Sequence, residues 1–194
     1  MITRADWRQK IREILSSRQR QVLSREGYRK SAVLVPIYEN KGEQHFVLTK
    51  RAQGVMYHKG QISFPGGAYD KEDGELRATA LREAFEEVGI HPGDVEILGN
   101  LDDQVTYTSN FVITPFVGTI PYPYKFKVNH REVEELIEVP VSALLVPSAY
   151  VLETMDDDGK SYPWGHYLYG KHKITGITAR MLKQIMDLVF YLRR

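Results

Sequence analysis

The chain has 194 residues and no cysteine. That absence excludes disulfides, thiolate nucleophiles and cysteine-based zinc sites. No apolar run approaches the length of about eighteen residues that marks a transmembrane helix. Charge of one sign is missing too: 26 basic side chains against 25 acidic ones leave a formal charge of +1. A general nucleic-acid binder would show a basic excess. The first ten residues, MITRADWRQK, are polar and lack the apolar stretch of a secretory signal. No internal repeat or low-complexity tract is visible. What is present is a 42% share of hydrophobic residues, enough for a real core. The length suits one domain, or one domain with an appendage. The expectation is a cytoplasmic protein with no nucleic-acid and no membrane partner.

Residues 4–22 read as a basic amphipathic helix with Trp7, Ile11, Ile14 and Leu15 on one side. It would form an N-terminal helical extension, 1–25, ahead of a main domain, 26–194. Either it serves as a docking arm or it packs on the domain, and packing is the favoured reading because basic helices are often solvated faces. SAVLVPIY, residues 31–38, reads as a buried strand, with 44–50 as its neighbour across a turn. Residues 51–63 form a loop and a short strand before a tight glycine turn. Residues 94–100 and 111–120 are further strands, and Pro121 and Pro123 then break the chain. Residues 133–145 hold a strand-like turn and a short helix. Residues 150–155 and 166–169 form a hairpin around the acidic turn Asp156-Asp157-Asp158-Gly159. A last amphipathic helix covers 178–192. This alternation supports an α/β or α+β fold.

The densest information lies in FPGGAYDKEDGELRATALREAFEEVGI, residues 64–90. At about 100° per residue, Glu83 and Glu87 stand nearly one above the other, with Glu86 one stripe aside. Leu81, Ala84, Phe85 and Val88 are expected to form the apolar stripe opposite them. Gly89 ends the helix and Pro92 blocks its continuation. Like charges at i,i+4 repel by a few tenths of a kcal/mol. A Glu-rich face is most often merely solvated; here the flanking glycines and Arg82 at fixed offsets favour a bound ion. A hard divalent cation such as Mg²⁺, which takes oxygen ligands and keeps several waters, would offset the repulsion.

The pattern resembles the signature of Nudix hydrolases, G-x5-E-x7-R-E-U-x-E-E-x-G-U with U aliphatic. The chain matches it at Gly67, Arg82, Glu83, Ala84, Glu86, Glu87, Gly89 and Ile90. It departs at Asp73, which replaces the first glutamate and stands one residue further from Arg82. That insertion is similar to the coenzyme A pyrophosphatase subfamily, whose upstream pattern is L-L-T-x-R-[SA]-x3-R-x3-G-x3-F-P-G-G. Val47 to Ala52, Gly60 and Phe64 to Gly67 follow it in register, with Met56 in place of the second arginine. Ile174 to Leu182 resembles the subfamily's W-G-x-T-A-R-x-L segment, with Thr175 in place of tryptophan. The resemblance covers residues 30–185.

It implies an α/β/α sandwich with a mixed β-sheet, and hydrolysis of a nucleoside diphosphate linked to another moiety. Coenzyme A or its thioesters would be the substrate, giving 3′,5′-ADP and 4′-phosphopantetheine. Met56 keeps ADP-ribose, dinucleoside polyphosphates and (d)NTPs open, and a catalytically silent nucleotide-sensing domain is the reading of another class. Mg²⁺ or Mn²⁺ would be held by Glu83, Glu87, Glu86 and the Gly66 carbonyl. Arg82 would hold a carboxylate, Glu86 or Asp73, with Glu72 and Glu75 as other orienting acids. Glu132 or Glu134 would supply the general base. Lys50, Arg51, Gln61 and Ser63 flank the glycines and would meet substrate phosphates, as would His58 and Lys59. Tyr107, Tyr122 and Tyr124 would stack on an adenine if not simply packed. The resemblance leaves a homodimer open.

Overall fold

The structure, a computed structural model, describes residues 7–52, 60–106, 109–157 and 160–191, and the side chains of these except 155–162. Met56, His58, Lys59 and Tyr107, and the side chains of Asp156, Asp157 and Asp158, lie outside the described residues.

Strands β1 (Arg29–Asn40) and β2 (Glu43–Arg51) form a hairpin whose pairing runs from Asn40↔Glu43 to Ile37↔Phe46. Beyond that point the two arms diverge, and residues 62–68 fill the gap. Strand β3 (Ile62–Ser63) pairs with β2, and β4 (Gly66–Ala68) pairs with β1 through Val33↔Gly66 and Ala32↔Gly67. The expected glycine turn is therefore a strand inside the sheet. It has to be glycine there: a Cβ on Gly66 would lie 2.4 Å from the Ala32 carbonyl oxygen.

β5 (Glu96–Asn100) and β6 (Gln104–Thr106) pair antiparallel with β7 (Phe111–Thr119), and β7 runs parallel to β1. β8 (Val133–Pro140) pairs with β2, so 133–140 is a full strand rather than a strand-like turn. β9 (Tyr150–Asp157), β10 (Lys160–Tyr169) and β11 (His172–Ile174) form a separate antiparallel sheet. The short β6 and β11 carry too few residues to show an alternating pattern.

The main sheet is mixed and is covered on both faces. Side-chain alternation along β1 sends Ala32 and Leu34 to one face, and Val33, Val35 and Ile37 to the other. On the first face lies helix α2 (Leu76–Val88), with Ala80, Ala84 and Val88 against Leu34, Val47 and Ile120. On the second lie α1 (Trp7–Ser17), α3 (Val141–Leu145) and α4 (Gly176–Ile185). Ile11 and Leu15 of α1 are buried there beside Leu98 and Leu101. The expected last helix, 178–192, is α4 followed by a wider π-helical turn, Met186–Phe190. No described helix is long and apolar enough to cross a membrane.

The apolar stripe expected on α2 needs correction. Phe85 is 51% exposed, whereas Glu87 is 2% exposed. The residues that enter the core, Ala80, Ala84 and Val88, centre the buried face nearer Glu87 than Phe85. The three glutamates therefore do not occupy a solvated face. They descend from solvent into the flank of the core.

Candidate active site

Helix α2 begins after a tight loop that is stabilised from within. Asp70 accepts from the Glu72 amide at 3.0 Å, and Asp73 Oδ2 accepts from the Asp70 amide at 3.0 Å. At its other end Gly89 adopts φ 72°, and its N–H closes the last turn on Phe85. The loop and the helix are joined by Arg82. Its Nε donates to Asp73 Oδ1 at 2.7 Å and its Nη2 to Asp73 Oδ2 at 3.1 Å. Its remaining donors reach Glu83 at 2.8 Å, Glu86 at 3.1 Å and the Ala68 carbonyl at 3.2 Å. Thr79 donates to Asp73 as well, at 2.7 Å. Together these hold the Asp73 carboxyl well below the usual carboxylate range. Of the acids offered as partners for Arg82, Asp73 makes the two-pronged contact and Glu86 a single one; Glu72 caps nothing and Glu75 starts α2 without a side-chain bond.

The three helix glutamates differ sharply in environment. The Glu86 side chain is 49% exposed and that of Glu83 16%. Glu83 lies against β4: a Cβ on Gly67 would sit 2.4–2.5 Å from its carboxyl atoms. Burial raises the Glu83 pKa, against the pull of Arg82. Glu87 is the deepest. Burial pushes its pKa up to about 8, the charges of Glu83 and Glu132 add to the shift, and Arg51 and the Gly66 amide oppose it. Its Oε1 lies 3.4 Å from Arg51 Nη1, while Oε2 has no hydrogen-bond partner among the described residues.

A third element closes over the helix end. The Asn129 N–H donates to the Glu87 carbonyl at 2.9 Å, and the Lys127 N–H to that of Val88 at 2.9 Å. Asn129 Nδ2 donates to Glu132 Oε1 at 3.0 Å, and the Glu132 carbonyl accepts from the Ala52 amide at 2.8 Å. Glu132 is thus pinned on both sides, with its charge felt by Glu83 and Glu87. Glu134 is instead engaged by Lys50, Nζ to Oε1 at 2.5 Å. Asn129 was not singled out from the sequence; the only signal was its place three residues before a candidate acid.

Among the residues expected to meet substrate, Arg51 joins the acidic cluster directly. Ser63 faces Thr49 across β3 and β2, its carbonyl accepting from Thr49 Oγ1 at 3.3 Å. Gln61 is exposed, and its carbonyl accepts from the Arg51 amide at 3.0 Å. Lys50 is held by Glu134 and does not join the cluster. Tyr122 and Tyr124 lie elsewhere, in a separate aromatic cavity.

The donor set consists only of oxygens, which suits a hard divalent cation. The unsatisfied Oε2 of a buried carboxylate and the glycine-lined approach to Glu83 both fit such an ion. As they stand, no three acidic or histidine side chains among the described residues close on one point. Arg82 and Arg51 take up carboxylate oxygens instead.

A model of the NUDIX domain matches residues 28–164. A protein of Photorhabdus laumondii named "uncharacterized Nudix hydrolase NudL" is 37% identical over 161 residues, spanning 83% of this chain and 85% of that one. A protein of the same name from an Enterobacter species is 37% identical over 166 residues, spanning 86% and 84%. Among solved structures, a MutT/nudix family protein from Enterococcus faecalis superposes over 96% of this chain and 76% of its own, with a TM-score of 0.57 at 15% identity, a likeness of fold. The matched span includes the glycine strand, the acidic helix and the 129–132 segment, and with these relatives it makes the chain a member of the Nudix hydrolase family.

Proposed function

We propose that the protein hydrolyses the phosphoanhydride of coenzyme A or its thioesters, releasing 3′,5′-ADP and 4′-phosphopantetheine. The observation that carries a hydrolytic role is Glu87, a carboxylate buried with one oxygen unsatisfied beside Glu83 and Glu132. Support for coenzyme A is the upstream pattern around Arg51, Gly60 and Phe64 to Gly67.

In this reading Glu83, Glu86, Glu87 and the Gly66 carbonyl hold Mg²⁺ or Mn²⁺. When bound, the ion neutralises phosphate charge, polarises the phosphoryl group and lowers the pKa of a coordinated water. Arg82 is a positioning residue: fixed by Asp73, it orients Glu83 and Glu86. Arg51, Lys50, Gln61 and Ser63 contact the substrate, Arg51 exchanging Glu87 for a phosphate oxygen. Glu132, steadied by Asn129, accepts the proton of the attacking water. The water oxygen bonds to phosphorus, the bridging P–O bond breaks, and the departing phosphate keeps the electron pair. A homodimer, and a division into an extension of 1–25 and a domain of 26–194, belong to the same proposal.

The test is incubation with coenzyme A, ADP-ribose and a set of nucleotides in Mg²⁺, Mn²⁺ or EDTA, with products identified by mass. Metal-dependent release of 3′,5′-ADP well above turnover of the rest is expected. Preferred turnover of ADP-ribose or a nucleotide would overturn the substrate and keep the chemistry. No turnover of any would overturn both and favour a sensing domain.

A further inference from the structure

A cavity of 490 Å³ lies along the same sheet and shares no residue with the carboxylate cluster. Tyr38, five residues along β1 from the partner of Gly66, is roughly 16 Å away from it at strand rise. The cavity is built around a stack of three rings. Tyr38 and His45 are direct partners across β1 and β2, and their rings stack at 4.9 Å with 3° between planes. Tyr122 also stacks on Tyr38, at 5.1 Å and 15°. Tyr122 is 49% exposed and ends the stack at the solvent. Tyr124 and Phe126 form a further aromatic wall, 5.2 Å apart, and Tyr124 is fixed through its hydroxyl to Asp94 at 2.8 Å. Asn40 and His45 also line the cavity, and its one carboxylate is Glu138, which accepts from the Tyr38 hydroxyl at 2.6 Å. Among the described residues no cation pairs with Glu138, and no lysine or arginine lines the cavity.

Aromatic faces present negative quadrupole charge to a cation, and a carboxylate adds a full negative charge beside them. A nucleotide would also stack here, yet its phosphates would meet Glu138 and find no basic partner. The volume is in the range of small-molecule sites. We propose that this cavity binds a small organic ammonium ion, with Tyr122 and Tyr124 supplying the ring faces and Glu138 the counter-charge.

Calorimetric titration of the full chain with choline chloride at pH 8 tests this, with sodium chloride of equal ionic strength as the blank and adenosine as the competing ligand. Saturable choline binding is expected, with a Kd of about 1 mM or lower. Y122A and E138Q should each weaken it at least fivefold, with hydrolysis in the absence of choline within twofold of the parent. E138Q keeps an acceptor for Tyr38, so its loss reports charge alone, and it covers the case in which Y122A does not fold. No choline heat beyond the blank, binding of adenosine but not choline, or full affinity in E138Q would overturn the proposal.

Discussion

Glu87 shows how a single residue can be arranged against its own stability. It is a buried acid with a pKa raised from its ordinary value to about 8. Between its ordinary pKa and about 8, the folded chain keeps a proton that the unfolded chain has released. Without a metal, stability is therefore fully present below the ordinary value and is lost as pH rises through about 8. E87Q keeps the shape and removes the charge. In EDTA at pH 8 its Tm should rise, by a gain of about 1–2 kcal/mol or roughly 2–8 °C for a chain of this size. Metal-dependent turnover should fall by about 100-fold or more, since several kcal/mol of charge stabilisation depend on the ion. Parent-like turnover would remove Glu87 from the metal site. Gly67 makes a complementary case. The three atoms nearest a methyl group there all belong to the end of the Glu83 side chain. G67A should thus lose turnover by more than tenfold while its Tm changes by no more than about 4 °C, about 1 kcal/mol at this size. A melting curve beside an activity assay decides between displacement of Glu83 and general unfolding.

At the scale of elements, the same substitution one position earlier should behave differently. At Gly66 the added Cβ strikes the backbone of Ala32 and Val33, which cannot swing away. G66A should unpair β4 from β1 and lower Tm by more than G67A does, with activity falling as a consequence. The N-terminal helix offers a comparable test. Ile11 is fully buried among Leu98, Leu101 and the C-terminal helical turns, and Arg18 and Arg20 bind Asp102 and Asp103 at 2.8 and 2.7 Å. I11A should cost about 2–4 kcal/mol, the usual range for a truncated core aliphatic, read as a drop in chemical-denaturation midpoint. A cost near zero would mean that α1 does not dock in solution. The elements also show what was legible beforehand. Long strands such as β1 and β7 announced themselves through continuous apolar runs, and α2 through its spacing and Gly89. β4 did not, because three residues with two glycines look like a turn; only pairing with β1 makes them a strand. The register of the glutamates on α2 was readable from helical period, but their depth was not. Whether Glu87 or Phe85 faces inward depends on where β1 and β2 lie, which no local period specifies. Asn129 was illegible for a related reason: its role arises from contact with a helix forty residues earlier.

For the whole molecule, the acids matter because α2 and the 129–132 segment, far apart in sequence, set their charges against one another. Glu83 and Glu87 on α2 lie near enough to Glu132 for its charge to raise the pKa of both, and Arg51 is the cation set against Glu87, the deepest of them. A divalent ion held by Glu83, Glu86, Glu87 and the Gly66 carbonyl would offset that repulsion and tie α2 to β4. Ligand binding to the native state alone stabilises by RT ln(1 + [L]/Kd), about 2.7 kcal/mol at 100 times Kd. Mg²⁺ should therefore raise the Tm of the whole chain by roughly 5–10 °C at saturation relative to EDTA. The size of the rise should depend on pH in a definite sense. At pH 6 Glu87 holds its proton and must release it to bind the ion, so affinity falls as pH drops below about 8. The Mg²⁺-induced shift should accordingly be larger at pH 8 than at pH 6, and calorimetry in two buffers of different ionisation heat should detect proton release near pH 7. In E87Q the proton release should disappear. A metal-induced shift of equal size at both pH values would mean that Glu87 stays outside the ion's coordination, and that the link from α2 to β4 runs through Glu83, Glu86 and the Gly66 carbonyl.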